Sequence, residues 1–173
     1  MSGPTERLAA WLVETSFDDL PKPTVLAVRR AALDTLGCVL AGAAVPECER
    51  LAGALAPLGS AATSTVVGRR QRLAAPWAAM VNATAGRALD MDDLYEPGQV
   101  HASVAVFPVG LAVAEALERP ITGRELVAAT ATAVELLARL SIAPEQDSNV
   151  TGLSHTYHCG VFAAAAATAR LLG

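Results

Sequence analysis

The chain has 173 residues, of which 53% are hydrophobic, 17% charged and 4% aromatic, and its formal net charge is −4. Its length supports one domain with a substantial core. Alanine supplies much of the apolar fraction, which favours closely packed helices over sheets. Lys22 is the single lysine and the arginines form no basic stripe, so nucleic-acid binding has little support. We therefore expect one all-α domain over residues 1–173.

The sequence also predicts the cellular location of the protein. Residues 1–7 lack the charged-then-apolar order of a signal peptide. The longest uncharged apolar run, 102–114, is too short to span a bilayer, so we expect no membrane contact. Cys38, Cys48 and Cys159 are odd in number and irregularly spaced, which is typical of reduced thiols in a cytoplasmic protein. The low charge predicts an oligomer with a covered apolar face, and an alanine-rich monomer is the alternative.

Helical periodicity predicts three helices in the first third of the chain. Apolar residues recur at helical spacing over 6–15, over 25–43 with Thr24 as the expected cap, and over 47–56. Residues 64–68 form one strand candidate, and one short strand does not make a sheet.

The middle of the chain predicts two helices around an acidic loop. The first helix covers 74–89 and the loop covers 90–98. The next helix is expected to run to residue 117 with Ser103 as its cap, and Pro108 marks either a kink or a later start.

Two further helices are predicted near the end. Thr122 is followed three positions later by Glu125, which is typical of a capping box and opens a helix through residue 140. Residues 141–153 are polar and loop-like, and the alanine-rich run 160–172 predicts a closely packed helix.

The residues that suggest chemistry cluster after the 74–89 helix. Asp90, Asp92 and Asp93 lie close together, and His101 follows Asp93 by eight residues. Charges flanked by apolar helices are costly unless they have partners or a function. Taken alone, however, such an acidic run is more often a solvated turn.

All three histidines are predicted to lie at helix N-termini. His101 precedes one helix, and His155 and His158 precede the alanine-rich one. A helix N-terminus attracts anions and favours the neutral imidazole, which can act as a general base. An aspartate beside the ring would orient it. A histidine at a helix start is nevertheless more often a cap or surface residue.

Two other interpretations concern the segment that contains His155, His158 and Cys159. His155, His158 and Cys159 with Asp90 could be metal ligands, but their spacing is not a standard zinc pattern. Cys159 is a weak nucleophile candidate because its apolar neighbours would raise its pKa.

The order of these motifs resembles the 2-methylcitrate dehydratase family, the MmgE/PrpD superfamily. Residues 82–93 read N-A-T-A-G-R-A-L-D-M-D-D, and H-A-S, a proline and A-E follow. The family's motif is N-G-x-x-x-H-x-L-D-F-D-D, then H-P-S, P and A-E. Residues 31–42, 123–140 and 155–173 also resemble the family, so the likeness covers nearly the whole chain.

The resemblance implies the family's all-α helical domain without its lid domain. It also implies cofactor-independent lyase or isomerase chemistry on small di- and tricarboxylates. Family members dehydrate 2-methylcitrate, decarboxylate cis-aconitate or epimerise iminodisuccinate. By this resemblance Asp90 and His101 map to the active-site aspartate and histidine, and the second histidine is His155 or His158. Leu94 and Ala102 depart from the family, replacing a polar residue and the proline of H-P-S.

We therefore expect a lyase or isomerase that uses no metal or cofactor and transfers a proton next to a carboxylate or carbonyl. The reaction would end in dehydration, decarboxylation, epimerisation or a related cyclisation. The chain would be one subunit of a split enzyme, completed by a partner chain or symmetry mate. His101 would transfer the proton, Asp90 would orient it, and His155 or His158 would assist. The residues expected to contact substrate are Asp93, Tyr95, Ser103 and Tyr157. One alternative is a non-catalytic binding or scaffolding subunit, and another is a self-sufficient small enzyme.

Overall fold

The computed structural model describes residues 3–59, 61–144, 152 and 154–173. These residues form seven α-helices and one two-stranded hairpin, so the all-α expectation is confirmed. The helices are α1 (Pro4–Glu14), α2 (Lys22–Gly42), α3 (Pro46–Leu55), α4 (Ala75–Arg87), α5 (Ala102–Ala116), α6 (Gly123–Ile142) and α7 (His155–Leu172). The strands are β1 (Ser64–Thr65) and β2 (Arg72–Leu73).

Helix α4 lies between α2 and α5, and α7 packs against α5 and α6. Small residues make the first of these packings possible. A Cβ atom on Gly42 of α2 would lie 1.9 Å from the carbonyl oxygen of Ala85 in α4. A Cβ atom on Gly86 would lie 2.4 Å from Cγ2 of Val104 in α5. These glycines let the helix backbones approach closely, which sets the position of the C-terminal end of α4.

The short hairpin is fixed to α4 and α5 by buried polar groups. β1 and β2 pair antiparallel, with Ser64 opposite Leu73. The Asn82 side chain accepts a hydrogen bond from the Val67 amide and donates one to the Thr65 carbonyl, each at 2.9 Å. The sequence predicted the first strand but not its partner, because two residues carry no recognisable alternation.

Three predicted helix starts are wrong, those of α2, α5 and α7. α2 begins at Lys22, before Thr24. Pro23 does not prevent this start, because the backbone N–H that proline lacks has no intrahelical partner in the first turn of a helix. α5 begins at Ala102 with His101 at the N-cap position, so Ser103 lies inside the first turn and is not the cap. Pro108 lies within this same helix and does not mark a later start.

The capping box of α6 is confirmed. The Thr122 hydroxyl accepts the Glu125 amide hydrogen, and the Glu125 carboxylate accepts the Thr122 amide hydrogen at 2.8 Å. α7 begins at His155 rather than near residue 160, so His155 and His158 lie within its first turns instead of before it. Most of the loop predicted for 141–153 lies outside the described residues.

Within the part of the chain that the structure describes, no single helix has both the length and the apolar character needed to cross a membrane. The helical segments Lys22–Gly42 and Pro46–Leu58 meet these criteria only when they are taken together, and the chain bends by 93° between them.

Candidate active site

Two carboxylates converge on one guanidinium at the end of α4. Arg87 lies in the last turn of the helix, and Asp90 follows in the left-handed region with φ 54°. This conformation, which aspartate adopts more readily than most residues, turns the chain immediately after the helix. As a result, Nη1 of Arg87 donates to Oδ1 of Asp90 at 2.7 Å and to Oδ1 of Asp92 at 2.6 Å.

The two carboxylates differ in their exposure. The side chain of Asp92 is fully buried, whereas that of Asp90 is 77% exposed. Burial works to lower the pKa of Arg87, but the hydrogen bonds to Asp92 and Asp90 outweigh it and leave that pKa above its usual value. Arg87 is therefore a permanent cation, and Asp92 is its buried partner.

His101 joins this cluster from the start of α5. Its Nδ1 lies 3.1 Å from Oδ2 of Asp92 and 3.1 Å from Nη1 of Arg87. Its backbone amide donates to the Thr156 hydroxyl at 3.1 Å, which ties the start of α5 to the start of α7. The ring is mostly buried, with 19% of its surface exposed.

Counting donors indicates which ring nitrogen of His101 carries the proton. Nη1 of Arg87 has two hydrogens, and the two carboxylates accept both of them. Oδ2 of Asp92 is buried without a hydrogen bond to any described donor, so the nearby Nδ1 is the group able to satisfy it. A proton on Nδ1 leaves the lone pair of a neutral ring on Nε2. This arrangement can remove a proton through Nε2 and stabilise the imidazolium that forms.

Asp93 and Ser103, both expected to bind substrate, are bonded to each other. Oδ1 of Asp93 accepts the Ser103 amide at 3.2 Å, and Oδ2 accepts the Ser103 hydroxyl at 2.9 Å. Asp93 therefore satisfies a free donor in the first turn of α5. Burial raises the pKa of Asp93, and the hydrogen bonds from Ser103 oppose that rise.

The two tyrosines expected to contact substrate lie in different environments. Tyr95 forms a backbone bridge with Val100 and packs against the core between α5, α6 and α7. Tyr157 lies in the first turn of α7 and is 73% exposed. Tyr157 lines an open groove beside Arg87, whereas Tyr95 does not.

His155 and His158 have their own partners, apart from the cluster at His101. Nδ1 of the buried His155 donates to the Gly98 carbonyl at 3.1 Å. Nδ1 of the exposed His158 donates to the Ser154 carbonyl at 3.0 Å, within its own helix turn. Cys159 is buried, and burial raises the pKa of its thiol, as its apolar neighbours predicted.

An open groove of about 720 Å³ lies beside Arg87. It runs between the end of α4, the start of α3 and the first turns of α5 and α7. Most of its walls are apolar. The lining residues are Val45, Glu47, Cys48, Ala83, Thr84, Arg87, Ala88, Val104, Ala105, Thr156, Tyr157, Gly160, Val161 and Ala164.

The cluster also bears on metal binding. Asp90, Asp92 and His101 each offer one ligand atom within 4.8 Å of the others, and they are the one such group of three or more found among the described residues. Arg87 Nη1 lies within 3.1 Å of one atom from each. A metal ion would have to displace this guanidinium, so the donor set fits a resident arginine better than a metal. His155, His158 and Cys159 do not join Asp90 in such a group.

Sequence reasoning gave no role to Arg87, Asp92 or Thr156. Two signals pointed to Arg87. It lies three and five positions before two aspartates, and it occupies the position of the histidine in the family motif N-G-x-x-x-H. Asp92 was noticed only as part of the acidic run, since its burial depends on the turn at Asp90. Thr156 had no sequence signal, because its contact with His101 joins residues 55 positions apart.

A family model and several known proteins match nearly the whole chain. The MmgE/PrpD N-terminal domain matches residues 6–173. A cis-aconitate decarboxylase of Aspergillus terreus is 28% identical over 179 residues, covering 99% of this chain and 36% of that protein. The human cis-aconitate decarboxylase is 31% identical, covering 98% of this chain and 36% of its own length. The mouse protein is 29% identical, with 98% and 35% covered.

The chain therefore spans about a third of the length of these curated relatives, at their N-terminal end. The matched region contains the whole Arg87, Asp92 and His101 cluster. The resemblance read from the motifs is confirmed: the chain belongs to the MmgE/PrpD family, whose N-terminal domain it matches over residues 6–173.

Proposed function

We propose that this domain supplies the acid–base group of a lyase that acts on a small carboxylate, in a reaction of the decarboxylase or dehydratase kind. The observation that carries the proposal is the buried Asp92 carboxylate 3.1 Å from Nδ1 of His101. The relatives named cis-aconitate decarboxylase support the reaction class.

In this proposal Nε2 of His101 exchanges a proton with carbon. In a dehydration, Nε2 takes the proton from the carbon next to the carboxylate. The electron pair of that C–H bond forms the double bond, and hydroxide leaves with a proton as water. In a decarboxylation, the electron pair of the breaking C–C bond stays on carbon, CO₂ leaves, and the imidazolium of His101 protonates that carbon.

The neighbouring groups hold the ring during this exchange. Asp92 keeps the proton on Nδ1 and stabilises the imidazolium, and Arg87 fixes the position of Asp92. Asp90 holds Nη1 of Arg87 from the solvent side. The second acid–base group is His155 or His158. Mutating each histidine separately tests which of the two has this role.

We further propose that a partner chain or symmetry mate completes the substrate site. Arg87 is the one cationic side chain among the described residues that line the groove. The relatives extend well beyond the matched third, so groups from that region would bind the remaining substrate carboxylates. Exposed apolar side chains on α7 beside the groove, Tyr157, Val161 and Phe162, would be covered by the partner.

The test is turnover of cis-aconitate, followed by CO₂ release, and of 2-methylcitrate, followed by formation of the double bond. The protein is assayed as isolated, together with any partner that co-purifies. His101→Asn should lower kcat by about 10²-fold or more. Arg139→Gln, which breaks an exposed ion pair to Glu135 on α6, is the matched control.

His155→Asn and His158→Asn are measured in the same assay, and the variant that loses turnover identifies the second group. Circular dichroism confirms that each variant is folded. Wild-type turnover in His101→Asn would contradict the proposal. Absence of turnover by the wild type, alone and with its partner, would favour the non-catalytic binding or scaffolding role.

A further inference from the structure

The first turn of α7 is bonded at two points to the segment that leads into α5. Oγ1 of Thr156 accepts the backbone hydrogen of His101 at 3.1 Å. The neighbouring His155 is buried, and its Nδ1 donates to the Gly98 carbonyl at 3.1 Å. Two bonds three residues apart fix both the distance of this segment from α7 and its direction. The position of His101 therefore depends on α7 as well as on its own helix.

The rest of this segment is held by close packing against α6. A Cβ atom on Gly98 would lie 1.9 Å from Oγ of Ser141 in α6, so the backbone there has no room to move towards that helix. Val100, which precedes His101, is fully buried in the core between α5, α6 and α7. The bond to Thr156 then fixes the last residue before α5.

His101 is held at two atoms by two different elements. Oδ2 of the buried Asp92 lies 3.1 Å from the ring Nδ1, whereas Thr156 holds the backbone amide. The ring can keep its contact with Asp92 only while the Cα atom of His101 stays in place, because the Asp92 side chain is itself fixed by Arg87. A displacement of about 1 Å at a catalytic group can cost about 10²-fold in rate. The backbone contact therefore bears on the position of the ring.

The hydroxyl oxygen is the part of Thr156 that makes this contact. A backbone N–H needs an acceptor, and a serine hydroxyl would supply the same oxygen. Valine has nearly the shape of threonine but offers no acceptor. Thr156 is half-buried beside the groove, so neither replacement removes a core side chain. Serine and valine at this position therefore separate the hydrogen bond from the packing of α7.

From these contacts we infer that Thr156 is a positioning residue for His101. Its hydroxyl oxygen holds the His101 backbone against α7, so that the ring stays within hydrogen-bonding distance of Asp92. Thr156 acts on the substrate only through His101. The effect on turnover rests on the proposed function, in which His101 transfers the proton. The effect on the ring and the amide of His101 does not, because it depends only on the contacts with Thr156 and Asp92.

The first test is NMR spectroscopy of the full 173-residue chain and of Thr156→Val. The chain has three histidines, so comparison with His101→Asn identifies the ring signals of His101. We expect the backbone amide hydrogen of His101 to exchange with solvent at least about tenfold faster in Thr156→Val. The ring ¹⁵N shifts should move from the pattern of a proton fixed on Nδ1 towards that of two exchanging tautomers, because the contact with Asp92 loosens.

The second test is turnover in the assay of the proposed function. Thr156→Val should lower kcat by about tenfold or more and change KM by less than about twofold, because it displaces the proton-transferring ring without removing a substrate-binding group. Thr156→Ser should restore the wild-type ring shifts and bring kcat and the amide exchange rate back to within about twofold of the wild type. Thr168→Val, at a half-buried threonine near the end of the same helix, is the matched control and should behave as the wild type does.

A further variant covers the case in which circular dichroism shows Thr156→Val to be unfolded. Thr156→Ala removes the same oxygen with a residue that favours the helix, and the same changes are expected of it.

The outcomes separate this inference from the proposed function. The inference is overturned if the amide exchange and the ring shifts stay as in the wild type, if Thr156→Ser behaves like Thr156→Val, or if Thr168→Val shows the same changes. It is also overturned if His101→Asn loses turnover while Thr156→Val keeps the wild-type kcat. If the NMR changes appear while His101→Asn keeps wild-type turnover, Thr156 positions His101 as inferred and the catalytic proposal fails.

Discussion

Oδ2 of Asp92 lies 3.1 Å from Nδ1 of His101, and the Asp92 side chain is fully buried. Asp90, the aspartate that the family motif selects, lies on the solvent side of Arg87 and is 77% exposed. The carboxylate closest to the ring is therefore the second aspartate of the acidic run. In the proposed function Asp92 is a positioning residue, because it would act on the substrate only through His101.

Asp92→Asn should reverse the proton placement on His101. The amide Nδ2 of the new side chain donates to Nδ1, so the ring proton moves to Nε2 and the base is lost. We expect the ¹⁵N chemical shifts of the two ring nitrogens to exchange their pattern and kcat to fall by about 10²-fold or more. The free energy of unfolding should fall by about 3 kcal/mol, because a buried ion pair is broken.

Asp90→Asn is the matched control for that experiment. Its exposed carboxylate contributes little to stability, so the free energy of unfolding should change by less than about 1 kcal/mol. The ¹⁵N pattern of His101 should stay as in the wild type. An unchanged ¹⁵N pattern in Asp92→Asn would show that Asp92 does not control the ring proton.

Gly42→Ala should separate α2 from α4. The new Cβ atom would lie 1.9 Å from the Ala85 carbonyl oxygen, which belongs to a helix backbone and cannot move aside alone. We expect the free energy of unfolding to fall by about 3 kcal/mol, measured by urea denaturation. Gly37→Ala in the same helix meets nothing within 4 Å, so it should raise that free energy by about 0.5–1 kcal/mol. Equal effects of the two substitutions would contradict the close packing.

Asp93 should make the fold less stable as the pH rises. Its pKa is raised in the folded state, mainly by burial, so the folded chain binds the proton more tightly than the unfolded chain. Its stabilising contribution is complete below the ordinary value of 3.8 and is lost as the pH rises through the raised folded-state pKa. Asp93→Asn should therefore gain stability relative to the wild type as the pH rises from about 3.5 to about 7.

Ser103→Ala serves as the companion variant in that titration. It removes the side-chain hydrogen bond that lowers the pKa of Asp93, so the loss of stability with rising pH should become larger. Urea denaturation at a series of pH values measures both effects. A difference between wild type and Asp93→Asn that does not vary with pH would argue against the raised pKa.

Glu125 should show the opposite dependence. The hydrogen bond from the Thr122 amide, followed by those from Arg119 and the Thr122 hydroxyl, lowers its pKa from 4.5 to about 2. Its contribution is therefore present above 4.5 and is lost as the pH falls towards 2. The stability difference between the wild type and Glu125→Gln should shrink over this interval in acid denaturation. A constant difference would show that the capping box does not hold the carboxylate.

The fold could be predicted from the sequence in most of its parts, for local reasons. Helical periodicity located all seven described helices, and the pair Thr122 and Glu125 fixed the start of α6 because a capping box involves only four consecutive residues. The starts of α2, α5 and α7 were misplaced. The cap of α5 comes partly from Asp93, ten residues before Ser103, and no local pattern contains that contact.

The candidate site, too, could be predicted from the sequence only in part. The sequence by itself determined that carboxylates and a histidine lie between α4 and α5, and that the chain belongs to the MmgE/PrpD family. Only the tertiary structure decided that Arg87 is the shared cation, that Asp92 rather than Asp90 faces His101, and that His155 and His158 have partners elsewhere. The reason is physical, since burial and side-chain direction depend on a left-handed turn and on helix packing that bring distant residues together.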